Sequence, residues 1–146
     1  MQLFIGGACA GKRDAVKQRF PGALWWRLAP GQRLQEVAQV MLPNTPLVVH
    51  GLFEWLTATL DSDVSIDEWR AQWREDFPRL HQAAEADNVT LVMIANELGR
   101  GLVPMARDQR RLRDLSGWFT QDAAAQASHV WYVRHGLVQG LKHSVR

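Results

Sequence analysis

Residues 6–12 carry the strongest chemical signal in the chain. They read Gly6-Gly7-Ala8-Cys9-Ala10-Gly11-Lys12 and fit the pattern G-x-x-x-x-G-K. Glycines allow a loop to turn its backbone N–H groups toward phosphate oxygens, and the lysine reaches the β- and γ-phosphates of a nucleotide. We therefore predict that these residues bind a nucleotide, GTP or ATP, and that Lys12 is also catalytic in phosphoryl transfer. A glycine-rich turn that binds no ligand is the alternative.

Arg13 departs from the pattern of a working phosphate loop. Such a loop has Ser or Thr after the lysine, because that hydroxyl ligates Mg²⁺. The arginine found here cannot ligate a cation, but it can donate two hydrogen bonds to a phosphate. We count Arg13 among the nucleotide-binding residues. A side chain that points to solvent from the first helical turn is the alternative.

The second position that holds Mg²⁺ in such proteins is an acidic residue at the end of an apolar strand. The best candidate strand lies in LVVHGLFEWL, residues 47–56, and His50 stands at the expected position. A neutral imidazole can ligate a transition metal, although a single histidine at a strand end is more often structural. Glu54 follows one helical turn later. Both departures affect the same ion, so the sequence leaves Mg²⁺ in doubt as a cofactor and predicts no metal ligand.

Apolar runs closed by glycine or proline alternate with helical patterns along the chain. The predicted strands are 2–7, 23–29, 46–52, 89–98 and 128–137, with an edge strand in 138–144. The predicted helices are 11–20, 32–42, 53–60, 65–87 and 106–127. This alternation predicts an α/β fold, a mostly parallel sheet with helices on both faces, in a single domain of residues 1–146. Such sheets bind ligands beyond the carboxyl ends of their strands.

The helix predicted over 65–87 has the clearest local signals. Ser65 is a candidate N-cap, and Glu68 follows at the spacing of a capping box. Pro78 predicts a kink or a division of the helix. The apolar side chains form one continuous stripe, made of Trp69, Trp73, Phe77, Leu80 and Ala84.

The composition limits the class of protein. The chain of 146 residues is 47% hydrophobic and has a formal net charge of +2, so nucleic acid is not expected as a partner. Cys9 is the only cysteine, which excludes an internal disulfide and fits a cytoplasmic location. No apolar window approaches the ~20 residues of a transmembrane helix, so no membrane contact is expected. We expect most of the seven tryptophans in the core or at an interface.

Residues 91–142 resemble the adenosylcobinamide kinase / adenosylcobinamide-phosphate guanylyltransferase family of cobalamin biosynthesis. In that family a strand ends in N-E-V-G and is followed by G-x-V-P, an R-D-x-x-G helix and a V-W-x-V strand. The family also begins with G-G-x-x-S-G-K-S, which residues 6–13 match except at Ala10 and Arg13. The later matches are Asn96-Glu97-Leu98-Gly99, Gly101-Leu102-Val103-Pro104, Arg113-Asp114-Leu115-Ser116-Gly117 and Val130-Trp131-Tyr132-Val133.

The resemblance implies a P-loop NTPase-like three-layer sandwich, a GTP or ATP substrate, a corrinoid (cobinamide) acceptor and a homo-oligomer. It places Asn96 among the nucleotide-binding residues and Glu97 in the active-site cleft, where Glu97 acts as a catalytic general base or as a substitute metal ligand. The alternative for Glu97 is a carboxylate that caps N–H groups and orders the glycine loop.

The chain also departs from that family. Its members carry, after the first helix, a histidine that takes up the guanylyl group covalently, and no histidine precedes His50 here. Three interpretations stay open. The chain is a kinase of the cobinamide type, or a relative that binds nucleotide without turnover as a regulatory or assembly module, or a scaffold whose loop binds nothing.

A basic face lies on the helix predicted over 106–127 and consists of Arg107, Arg110, Arg111 and Arg113. We interpret it as a solvated or salt-bridged surface. Phosphate contact from a neighbouring subunit, or contact with nucleic acid, is the alternative.

Overall fold

A computed structural model describes residues 1–97 and 106–143 of the chain. The motif residues Leu98-Gly99 and Gly101-Leu102-Val103-Pro104 lie outside the described residues. The strands are β1 (Gln2–Gly6), β2 (Leu24–Arg27), β3 (Leu47–His50), β4 (Leu91–Asn96), β5 (His129–Arg134) and β6 (Leu137–His143). The helices are α1 (Lys12–Arg19), α2 (Leu52–Leu60), α3 (Ile66–Ala86) and α4 (Arg107–Gln126), with a 3₁₀ helix over Leu34–Val40.

The strands form a six-stranded sheet in the order β2-β3-β4-β1-β5-β6. Neighbouring strands are parallel, except that β6 pairs antiparallel with β5 at the edge. The register places Gly6 beside Asn96 and Ile5 beside Tyr132. The prediction of a mostly parallel sheet with an added edge strand is therefore confirmed.

The handedness of the connections decides which face each helix covers. Parallel crossovers are right-handed in nearly all proteins, so connections that move in opposite directions along the sheet place their helices on opposite faces. The β1–β2 connection moves toward the β2 edge, whereas the later parallel connections move toward β5. Phe4 and Val92 accordingly pack with Val16 of α1. Leu3 and Met93 face the other side and pack in the cluster that holds α2, α3, α4 and the 3₁₀ helix. Helices therefore cover both faces, as predicted.

Two local predictions need correction. The segment predicted as a helix over 32–42 is a 3₁₀ helix of residues Leu34–Val40, because three residues per turn place Leu34, Val37 and Val40 on one face against the core. Pro78 does not divide α3, which runs unbroken past it, because Phe77 and Leu80 on either side are both buried in the core. The predicted N-cap is confirmed, since Ser65 Oγ accepts a hydrogen bond from the backbone N–H of Glu68 at 3.2 Å.

The seven tryptophans lie in the described ranges, and their positions agree with a core role. Trp55 and Trp73 are buried, and both rings contact Phe119 between α2, α3 and α4. The other tryptophans are half-buried. Of the described helices, none combines the length and the apolar composition that crossing a membrane requires.

Asp122 of α4 fastens α4 to α3. Its carboxylate accepts hydrogen bonds from Arg70 Nε at 3.0 Å, from Trp73 Nε1 at 2.7 Å and from Arg74 Nη2 at 3.2 Å. Burial raises the pKa of Asp122, but the hydrogen bonds from Arg70, Trp73 and Arg74 outweigh that effect and leave the pKa below its ordinary value. The ionised carboxylate therefore stabilises the contact between the two helices.

We expect Asp122→Asn to lower the free energy of unfolding by about 2–4 kcal/mol, because the two arginines lose their shared counter-charge in a mostly buried place. Urea unfolding measures the loss. Asp114→Asn on the same helix is the control, because Asp114 is exposed and lies 3.8 Å from Arg113. The lowered pKa means that this stabilisation is complete above the unfolded-state value, about 3.9, and is lost as the pH falls through the folded-state value. Equal unfolding curves for the two variants would contradict this role.

Candidate functional site

The glycine loop, residues 6–13, lies where the sheet changes direction. It follows β1, whose connection leaves toward the β2 edge, whereas the connection after the adjacent β4 leaves toward β5. The carboxyl ends of two such strands enclose the crevice in which open α/β sheets bind ligands. The backbone N–H of Glu97, just after β4, donates to the carbonyl oxygen of Gly6 at 2.9 Å. The fold thus places Asn96 and Glu97 beside the loop, and the roles that the resemblance implies for them stay predictions.

Two of the loop glycines are required by close packing. A Cβ added to Gly6 would lie 2.5 Å from the carbonyl oxygen of Val133 in β5. Gly11 has a φ of +90°, and its added Cβ would lie 3.1 Å from Cα of Gly136. Gly7 differs from both, because nothing lies within 4 Å of its added Cβ. The contacts within the protein therefore explain Gly6 and Gly11 and leave Gly7 beside open space.

The turn between β5 and β6 holds the far side of the loop. His135 and Gly136 have φ values of 53° and 72° and connect Arg134 to Leu137, which is the geometry of a two-residue hairpin of type I′. The N–H of Gly136 donates to the carbonyl oxygen of Ala10 at 2.9 Å. The sequence analysis missed this turn because it continued the strand through residue 137. The dipeptide His-Gly between two apolar runs was the available signal.

Lys12 lies inside the loop. Its Nζ donates to the carbonyl oxygens of Gly6 at 2.6 Å and Gly7 at 2.7 Å. The residue is 8% exposed. Burial lowers the pKa of Lys12, while the nearby Cys9 and Glu97 oppose that effect. A buried cationic donor thus stands at the centre of the loop, where an anionic ligand can exchange with the two carbonyl oxygens.

Two cavities flank the loop, and Ala8, Cys9 and Ala10 line both. The cavity on the β3 side has a volume of about 430 Å³, and we call it the His50 cavity. The cavity on the β5 side has a volume of about 470 Å³, and we call it the Tyr132 cavity. The His50 cavity is lined in addition by Lys12, Arg13, Asp14, Arg27, Glu54 and Asn96, and the Tyr132 cavity by Gly7, Glu97, Arg134 and His135.

Arg13 is exposed and lies at the wall of the His50 cavity. Its guanidinium carbon is 5.3 Å from the ring centroid of Trp25, and the centroid of the His50 ring is 5.7 Å from the Trp25 ring. On the same wall, Arg27 pairs with Glu54 at 3.4 Å. Sequence analysis missed Trp25 and Arg27, because nothing in the chain's linear order indicates that β2 lies next to β3.

Glu97 lines the Tyr132 cavity. Its Oε2 accepts a hydrogen bond from the hydroxyl of Tyr132 at 2.7 Å. Neighbouring residues of an extended chain point to opposite sides, so Asn96 reaches the His50 cavity while Glu97 reaches the Tyr132 cavity. The two residues that the sequence treated as one motif therefore line opposite sides of the glycine loop.

Among the described residues, the arginines of the basic face on α4 line neither of the two cavities. Arg107, Arg110 and Arg113 are exposed, and Arg111 is half-buried. The distances from Arg111 to Asp108 and from Arg113 to Asp114 are 3.9 Å and 3.8 Å. These weak pairs at the surface agree with the interpretation of a solvated, salt-bridged face.

A family model described as cobinamide kinase / cobinamide phosphate guanyltransferase matches residues 10–141. The bifunctional adenosylcobalamin biosynthesis protein CobU of Escherichia coli (strain K12) is 33% identical over 98 residues, which are 64% of this chain and 51% of that protein. The protein of the same name from Salmonella typhimurium (strain LT2) is 43% identical over 47 residues, which are 32% of this chain and 26% of that protein.

The sheet, its helices and the family match define a P-loop NTPase-like α/β fold, which confirms the predicted three-layer sandwich. The chain belongs to the cobinamide kinase / cobinamide phosphate guanyltransferase family. The matched region spans about half the length of the E. coli relative and about a quarter of the Salmonella relative.

We expect Gly6→Ala to lower the free energy of unfolding by about 1–3 kcal/mol, because the methyl group would overlap the carbonyl oxygen of Val133. Gly7→Ala is the matched control and should change it by less than about 0.5 kcal/mol, since the added methyl group meets no atom. Chemical unfolding of both variants measures the difference. Equal losses would show that β5 does not confine the loop in this way.

Proposed function

We propose that the chain binds GTP or ATP at the glycine loop and transfers its terminal phosphoryl group to adenosylcobinamide, in cobalamin biosynthesis. The observation that carries the proposal is the position of Lys12, whose buried ammonium group lies inside a loop between two cavities. The family membership supports the acceptor, since cobinamide is named in the description of the matching family.

The loop supplies the charge that a polyphosphate needs. Anionic phosphate oxygens are stronger hydrogen-bond acceptors than the carbonyl oxygens that now hold Lys12. The ammonium group therefore forms stronger hydrogen bonds when phosphate oxygens replace the carbonyl oxygens. α1 begins at Lys12, and the positive end of its dipole lies at the same place. Gly7, which has open space beside it, lets the phosphates approach the backbone closely.

Cavities on both sides of the loop suit a reaction between two substrates. Each has the size of an ordinary small-molecule site, about 300–1,000 Å³. In the transfer, the bond between the γ-phosphorus and the bridging oxygen breaks, and a bond to the acceptor hydroxyl oxygen forms. Glu97 is the candidate base for the hydroxyl proton. Because Glu97 lines the Tyr132 cavity, this role requires the acceptor to approach from that side.

The proposal is limited to the kinase step. Residues 20–23 connect α1 to β2, and no histidine occurs among residues 1–49. The chain thus offers no residue at the place where the resemblance expects the guanylyl-accepting histidine.

A second candidate function is binding of the nucleotide without turnover, as a regulatory or assembly module. The observation that favours it is the pair Arg13 and His50, which stand where the fold class usually holds the groups that ligate Mg²⁺. One assay separates the two candidates. The protein is incubated with labelled GTP or ATP and adenosylcobinamide, with and without Mg²⁺, and both binding and phosphorylated product are measured. Phosphorylated product supports the kinase, and binding without product supports the module. The absence of both binding and product supports a scaffold.

The resemblance also implies a homo-oligomer in the cytoplasm, which we include in the proposal. The edge strand β6 supports an association between copies, since Leu137 and Leu141 are 75% and 57% exposed on an edge with unpaired backbone groups. Sedimentation velocity of the purified chain measures its oligomeric state.

We expect Lys12→Ala to weaken GTP binding by about ten- to a hundredfold, because a charge-assisted hydrogen bond to phosphate is lost. Arg19→Ala is the control, since Arg19 lies on the same helix, over Trp131, and outside the lining of both cavities. Fluorescence polarisation of labelled GTP measures both affinities. Unchanged affinity in Lys12→Ala, with wild-type binding intact, would contradict the assignment of the loop.

A further inference from the structure

The residues around the loop do not fit Mg²⁺. The side chain that follows Lys12 should carry a hydroxyl ligand, and the end of β3 should carry a carboxylate that holds the ion. Arg13 and His50 occupy these positions, and both line the same cavity as Lys12. In the described part of the chain, no group of three or more His, Cys, Asp or Glu side chains is placed to hold a metal ion.

Arg13 is held at the cavity by an aromatic partner. Its guanidinium group lies over the ring of Trp25, and the rings of Trp25 and His50 contact each other at an interplanar angle of 64°. A guanidinium group on an aromatic ring keeps its charge and its planar set of donors while its position is fixed. The cluster of Arg13, Trp25 and His50 therefore presents a positioned cationic donor beside the loop.

The charge around His50 also opposes a divalent cation. Burial lowers the pKa of His50, and the positive charges of Arg13 and Arg27 lower it further, against a smaller opposing effect of Glu54. His50 is therefore mostly neutral at pH 7. A Mg²⁺ ion at this place would meet an imidazole, which is a poor ligand for it, and two guanidinium groups that repel it.

The carboxylates that line the His50 cavity do not neutralise its positive charge. Asp14 and Glu54 are those that line it among the described residues. Glu54 already pairs with Arg27, at 3.4 Å. Three cationic side chains, Lys12, Arg13 and Arg27, thus face two anionic ones, and the surplus is positive before any ligand binds.

We propose that this loop binds a nucleoside triphosphate free of divalent metal, with the guanidinium group of Arg13, supported by Arg27, as the counter-charge for the terminal phosphates. The inference rests on the proposed function, because it concerns the same loop. The ligand class is the free tetra-anionic nucleotide rather than its magnesium complex. Mg²⁺ neutralises part of the phosphate charge that the arginines recognise, so it competes with the protein for the nucleotide.

The test is a calorimetric titration of GTP, and separately of ATP, into the full chain in EDTA and in Mg²⁺. We expect binding in EDTA to be at least as tight as in Mg²⁺. We expect Arg13→Ala to lose about ten- to a hundredfold in affinity in EDTA. Arg19→Ala is the matched control, since Arg19 ends the same helix and lies over Trp131 rather than in the cavity. Melting temperatures of the variants confirm that each is folded.

A double variant, Arg13→Ser with His50→Asp, supplies the two kinds of ligand that the fold class uses. We expect Mg²⁺ to tighten its GTP binding by more than about tenfold. A double variant that responds to Mg²⁺ as the wild type does would overturn the assignment to Arg13 and His50. Wild-type binding that Mg²⁺ tightens would overturn the inference and leave the proposed function intact. No GTP or ATP binding in either buffer would overturn the proposed function and the inference together.

Discussion

β1 lies between β4 and β5, and this pairing confines the loop that follows it. The carbonyl oxygen of Val133 excludes a side chain at Gly6, and the hairpin turn at Gly136 holds the carbonyl of Ala10. The backbone of Glu97 fixes Gly6 from the β4 side. The two ends of the loop are therefore held by strands from distant parts of the sequence, which reduces the conformational entropy that ligand binding must remove.

Positively charged side chains surround this loop in two different environments. Lys12 is buried among backbone carbonyl oxygens, so its ammonium group is directed inward and has little water around it. Arg13 and Arg27 are exposed at the rim of the His50 cavity, where the aromatic ring of Trp25 and the carboxylate of Glu54 position them. The fold is P-loop NTPase-like, and the Arg13 and His50 side chains, at the positions where such folds usually hold Mg²⁺, support the proposed direct recognition of phosphates by side chains.

The sequence predicted most of the sheet because buried parallel strands occur in it as short apolar runs that end at glycine or proline. It predicted the loop because glycine spacing reports local backbone geometry. It could not predict that Arg27 lines the His50 cavity, that Trp25 packs against Arg13 and His50, or that Tyr132 donates a hydrogen bond to Glu97, since these contacts depend on the order of strands in the sheet. Strand alternation could have separated Asn96 from Glu97. The 3₁₀ helix was missed because its apolar spacing also fits an α-helix.

The most direct measurement of the central claim is a crystal structure of the chain with a non-hydrolysable GTP analogue, grown in EDTA. The expected result has the phosphates inside the loop, with Lys12 Nζ turned from the carbonyl oxygens of Gly6 and Gly7 to phosphate oxygens and Arg13 on the terminal phosphate. An analogue bound elsewhere, with Lys12 still on those carbonyl oxygens, would contradict the account.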